Sequence, residues 1–132
     1  MFSIDIDRVH LLVDMRLSGF FTPAIAQEAT LALRAAVRSL GADVGRHVTL
    51  YDATDLQVSP AQTVEYIQAS YAEPDIRPLW ARRIAYCTPS ALTRMQVMRL
   101  RQSRADIGVY TDRATALAWL LEVSEGRGTP AA

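Results

Sequence analysis

The chain has 132 residues, half of them apolar, which suits one domain that buries a core without help from disulfides or a structural metal. Fourteen arginines balance fourteen acidic side chains, so no overall field draws the chain toward nucleic acid or an anionic membrane. Cys87 is the single cysteine, which excludes an intramolecular disulfide and a cysteine-rich metal site and fits a reducing, cytoplasmic setting. The first 21 residues are interrupted by Asp5, Asp7, Arg8 and Asp14, so they read neither as a signal peptide nor as a membrane anchor.

Phe2, Ile4 and Ile6 alternate with Ser3, Asp5 and Asp7, the period of a half-buried strand. Residues 9–13 read as a second strand after a tight turn at Asp7 and Arg8, and so short a link makes the pair antiparallel. Thr22 before Pro23 is a helix start, and Ile25, Ala29, Leu33, Ala36, Val37 and Leu40 then recur at helical spacing until Gly41. Residues 47–52 form a third strand. Ser59 and Pro60 repeat the cap-then-proline signal before the stripe Val64, Ile67 and Tyr71.

After an irregular link around Pro74 and Pro78, residues 83–87 read as a short strand running into a third helix capped near Thr88 to Ser90. On that helix Ala91, Leu92, Met95 and Met98 share the face expected to pack on the sheet. Residues 107–110 are the last strand, Asp112 caps the last helix, and Ala114, Leu117, Ala118 and Leu121 supply its buried face. The expected architecture is α/β: a mostly parallel five-stranded sheet with one antiparallel edge strand and about four helices. Residues 1–125 are expected to make the single domain and 126–132 a flexible C-terminal tail.

Ligands and switch residues in such sheets gather where strand carboxyl ends meet helix amino ends, here 16–22, 52–59, 88–90 and 111–112. No constellation for catalysis is visible. His10 and His47 have no cysteine or carboxylate at a recognised metal or nucleophile spacing, and neither a nucleophile elbow nor a glycine-rich phosphate loop occurs. No enzyme activity, metal or cofactor is therefore expected. Val97 and Leu100 point outward beside Arg94, Arg101 and Arg104, a surface that is either a solvated basic face or an interface. Trp119, on the opposite side of its helix from Leu117 and Leu121, is a second burial face or an anchor for self-association or a protein partner.

The order of elements, with Asp52 ending the third strand and a hydroxyl opening the next helix, resembles the STAS domains of bacterial anti-sigma factor antagonists. Ala81-Arg82-Arg83-Ile84-Ala85-Tyr86, residues 90–96 with Arg99 and Leu100, and residues 116–120 look like uncharacterised STAS-like bacterial proteins grouped near CRAL-TRIO lipid-binding domains. The resemblance implies a non-enzymatic regulatory or protein-interaction module, or alternatively a carrier or sensor of a small apolar, lipid-like ligand. In the antagonists a strand ending Asp-x-Ser precedes a helix that opens on an Asp-Ser pair, whose serine a kinase phosphorylates. Asp52-Ala53-Thr54 is similar to the first part with threonine for serine, whereas the Asp-Ser pair is missing and Ser59 stands at the helix start. Asp52, Thr54 and Ser59 thus form a candidate switch rim, with Ser59 equally explained as a cap.

Overall fold

The computed structural model describes residues 1–122, so the proposed tail lies outside the described residues. Five strands form one sheet in sequential order: β1 (Phe2–Asp7), β2 (Leu12–Gly19), β3 (Val48–Leu56), β4 (Arg83–Cys87) and β5 (Gly108–Tyr110). β1 is antiparallel to β2 and the other three pairings are parallel, as the link lengths require. Three helices connect the parallel strands, α1 (Pro23–Arg38), α2 (Ala61–Tyr71) and α3 (Ala91–Leu100), and a fourth, α4 (Arg113–Glu122), follows β5.

The first turn is longer than the sequence pattern suggests. The Asp7 carboxylate accepts the amides of Val9 and His10 at 3.0 and 3.1 Å, and Leu11 takes a left-handed φ of 52°. Asp7 thereby holds residues 8–11 as a loop with Val9 exposed, and His10 sits in that loop rather than inside a strand, its Nδ1 2.8 Å from Asp7. β2 starts at Leu12 and runs on to Gly19.

Three of the expected caps form. Thr22 Oγ1 accepts from the Ile25 amide, Ser90 Oγ from Thr93 and Asp112 Oδ1 from Thr115, each satisfying an amide that the first helical turn leaves free. The fourth does not. α2 begins after Pro60 without a side-chain cap, and Ser59 is held instead by Gln96, whose amide accepts the Ser59 N–H at 3.0 Å and donates to its carbonyl at 2.7 Å.

Alternation along the strands divides the core between two faces. Met15, Tyr51, Ile84 and Tyr86 meet Ala26 and Ala29 of α1, Val64 and Tyr71 of α2, and Val97 and Leu100 of α3. On the opposite face Leu12, Val48, Leu50, Ala85 and Cys87 meet Ala116 and Leu120 of α4. Two helices are therefore rotated from the expected setting. α3 buries Thr93, Val97 and Leu100 and exposes Leu92, Met95 and Met98, the reverse of the reading from its apolar residues. The buried row continues into Arg104, whose guanidinium donates to the Ala81 carbonyl at 2.6 Å and fixes the end of the segment against β4. In α4, Ala114 and Ala118 face solvent, because the sheet takes the closely spaced row of Ala116 and Leu120.

His47, just before β3, is fully buried, and its Nδ1 accepts the Gly45 amide at 3.1 Å. Burial, reinforced by the nearby charges of Arg104 and Arg82, pushes its pKa down to about 4. The folded form thus disfavours the proton that the unfolded chain takes up near its ordinary value of 6.5. Stability is full above that value and falls as the pH drops from 6.5 toward 4, by on the order of 3 kcal/mol. Urea unfolding at intervals across this window checks the slope, and His47→Gln is expected to flatten it.

Candidate functional site

Between the sheet and the α1–α3 layer lies a cavity of about 140 Å³. Its floor is Met15, Tyr51, Ile84 and Tyr86, its roof includes Ala29 and Leu33 of α1 and Ile67 of α2, and Leu79 and Trp80 close the amino-terminal end of the sheet. The space follows from side-chain size: Ala26 and Ala29 turn methyl groups toward the sheet where a tightly packed layer would need larger ones.

Three tyrosines stand in this lining. The Tyr51 and Tyr86 rings stack with centroids 4.5 Å apart, and the Tyr71 and Tyr86 hydroxyls are 3.0 Å apart. Burial pushes all three phenols well above their ordinary pKa, so they remain neutral hydrogen-bonding groups. Arg34 of α1 lies on the lining with its guanidinium bound to Glu73 at 2.6 Å. No residue pattern marked this cavity; the expectation of a carrier for an apolar ligand came from the family resemblance alone.

The candidate switch rim is split by the sheet. Asp52 faces α4: its Oδ1 accepts the Thr54 amide and hydroxyl at 3.1 and 2.6 Å, and its Oδ2 accepts from Arg113 at 3.1 Å. Arg113 also grips Asp14 through both terminal nitrogens, so one guanidinium bridges β2 and β3 at the start of α4. Burial raises the Asp52 pKa, but the Thr54 and Arg113 hydrogen bonds outweigh it and hold the carboxyl below its ordinary value. Cys87 beside it is buried, and desolvation together with the Asp52 charge pushes the thiol up to about 12. Thr54 is exposed. Ser59, by contrast, lines the cavity on the other face and is tied to α3 through Gln96.

The candidate interface is likewise redistributed. Val97 and Leu100 are buried, as is Arg104, which lies over the Trp80 ring at 4.5 Å and bonds Asp106 at 2.9 Å. Arg94 donates to the Thr88 carbonyl at 2.9 Å and Arg101 to that of Ala105 at 2.9 Å, so these forks brace their own backbone. Trp119 is half-buried, tilted against Tyr110 at 5.7 Å and covered by Arg83 at 4.3 Å. The apolar surface that α3 does expose is Leu92, Met95 and Met98. Among the described residues no cluster of His, Cys, Asp and Glu suits a metal ion, and no helix is long and apolar enough to cross a membrane.

Among solved structures, an uncharacterised DUF3478-family protein with a SpoIIAA-like fold from Shewanella loihica matches over 90% of this chain and 93% of its own, at 18% identity and a TM-score of 0.62. An anti-sigma factor antagonist from Mycobacterium paratuberculosis matches over 91% and 94%, at 13% identity and a TM-score of 0.54. The chain has a STAS-like fold. No family model and no curated protein matches the sequence, and the CRAL-TRIO likeness finds no support among these neighbours. Within this STAS-like fold, polar groups at the strand carboxyl ends are bonded to one another on the α4 side, whereas the open space is on the other side.

Proposed function

We propose that this chain is a non-enzymatic regulatory module of the cytoplasm that takes a small apolar ligand into the cavity between its sheet and α1–α3. The observation that carries the reading is the cavity itself, about 140 Å³ of mostly apolar-lined space in a domain otherwise able to pack to crystal-like density. An enzyme would need convergent polar groups free to meet a substrate. The Asp14, Asp52 and Arg113 cluster is instead engaged within itself, and the Cys87 thiol is held protonated.

A protein partner, or a second copy of the chain, fits the exposed stripe of Leu92, Met95 and Met98, a Met-rich apolar surface of the adaptable kind found at docking sites. The anti-sigma factor antagonist among the structural neighbours is a regulatory protein by its description and supports this second reading. The switch reading rests on Thr54, whose exposed hydroxyl already donates to Asp52 and would lose that bond on phosphorylation.

The test is native mass spectrometry of protein purified from its own cells, paired with titration of an environment-sensitive apolar dye. A bound molecule or saturable dye uptake is expected. Ala29→Phe, which fills the cavity from α1, should abolish both while the circular dichroism spectrum stays native. Binding that survives Ala29→Phe in full would place the ligand elsewhere and overturn the reading.

A further inference from the structure

Resting on the cavity reading above, we infer that the ligand is a single uncharged aromatic ring, taken up between the stacked Tyr51 and Tyr86 of the floor and the alanine face of α1. Size comes first. An apolar cavity of about 150 Å³ is enough to bind benzene. This one measures about 140 Å³, so one ring fills it and a long hydrocarbon chain exceeds it.

The lining then separates an aromatic ring from a saturated one of the same size. Phe21, Tyr51, Tyr71, Trp80 and Tyr86 contribute to it, half of the three phenylalanines, two tryptophans and five tyrosines in the chain. Tyr51 and Tyr86 are opposite one another on β3 and β4, and their rings stack at an interplanar angle of 17°, so the floor is aromatic on both strands. Met15 is the neighbour of Tyr51 on β2 and brings a polarizable sulfur to the same floor. Ring edges carry partial positive charge and ring faces partial negative charge. An aromatic guest therefore gains edge-to-face and sulfur contacts here that a saturated ring of equal volume does not. Above the floor, Ala26 and Ala29 present only methyl groups and leave the gap open.

That the guest is uncharged follows from how the polar groups of the lining are used. Arg34, the charged residue among them, is bound to Glu73. Thr30 donates to the Ala26 carbonyl at 2.8 Å, Ser70 to that of Ile67 at 2.7 Å and Gln96 to that of Ser59 at 2.7 Å. The Tyr71 and Tyr86 hydroxyls serve one another. The lining atoms that lack a partner, Arg34 Nε, Trp80 Nε1 and Thr93 Oγ1, are enclosed by neighbouring atoms and not open to the space. A charged guest would give up its water for a wall that offers it no hydrogen bonds in exchange.

Proton–nitrogen NMR of the full chain, titrated with benzene and with cyclohexane, tests the assignment. The indole N–H of Trp80 should shift on addition of benzene, while that of Trp119, across the sheet with α4, stays in place. Benzene should bind at least about threefold tighter than cyclohexane, the effect of one aromatic pair. Phe21→Leu takes one aromatic side chain from the lining and should narrow that preference, and Ala29→Phe should abolish the Trp80 response. Cyclohexane binding to the unaltered chain as tightly as benzene, with the shift at Trp80, would overturn the ring assignment and leave the cavity reading standing. If neither compound moves the Trp80 signal, the ring assignment falls and the dye titration decides the cavity reading: uptake that Ala29→Phe abolishes keeps it, and no uptake ends it as well.

Discussion

Leu100→Glu is expected to unfold the domain, whereas Met95→Glu, on the same helix, leaves it folded. Leu100 is 3% exposed and packs with Val97 and Ile107 in the larger core cluster, while Met95 is 65% exposed. Removing a buried leucine side chain costs about 2–5 kcal/mol and forcing a carboxylate into the space it leaves adds several more. Together these approach the whole stability of a small domain, about 5–15 kcal/mol. At Met95 the change falls on solvent, where substitutions shift stability by about 0.5 kcal/mol or less. Far-ultraviolet circular dichroism and urea unfolding of the two proteins decide the matter. The opposite outcome, a folded Leu100→Glu and an unfolded Met95→Glu, would mean that α3 sits on its other face.

That pair of residues also shows where sequence reading succeeded and where it stopped. Thr22, Ser90 and Asp112 were legible as caps because a cap is local, one side-chain oxygen reaching an amide three residues on. The sheet was legible because link length alone separates an antiparallel from a parallel pair. α3 was not, since its two rows are about equally apolar and the deciding contact, Arg104 on the Ala81 carbonyl, spans 23 residues. An arginine reads as exposed by default, and only the fold shows this one to be 4% exposed. The second strand was misplaced for a related reason. Residues 9–13 carry a strand pattern, but Asp7 captures two amides and turns the chain before it can pair. Ser59 looked like a cap because serine before proline so often is one, until Gln96 from 37 residues away takes its backbone. The cavity had no signature at all: alanines at helical spacing predict a buried face, not the space beside it.

The second large effect is expected at the clamp on the opposite face. Arg113→Ala should lower stability by about 3 kcal/mol, the lower end for breaking a buried ion pair, because the guanidinium itself is 29% exposed and partly screened. The loss comes from what remains: Asp14 and Asp52, 13% and 10% exposed, facing one another across β2 and β3 with no cation between them. The sign of the pH dependence is fixed by Asp52. Its carboxyl is held below the ordinary 3.8 in the folded chain, so its contribution is present above that pH and fades as the pH falls below it. The deficit of Arg113→Ala, measured by urea unfolding, should therefore be full at neutral pH and shrink in acid, where protonation removes the repulsion. Asp14→Asn in the Arg113→Ala background should recover part of it at neutral pH, since one of the two like charges is gone. Arg113→Lys should fall between, because a single ammonium reproduces the charge but not the fork that reaches two carboxylates at once. A deficit of equal size at neutral and acid pH would assign the clamp to packing rather than charge. Because Arg113 and both carboxylates lie on the α4 side, none of these substitutions touches the cavity lining, and uptake of the apolar dye should remain that of the unaltered chain wherever the variant is folded.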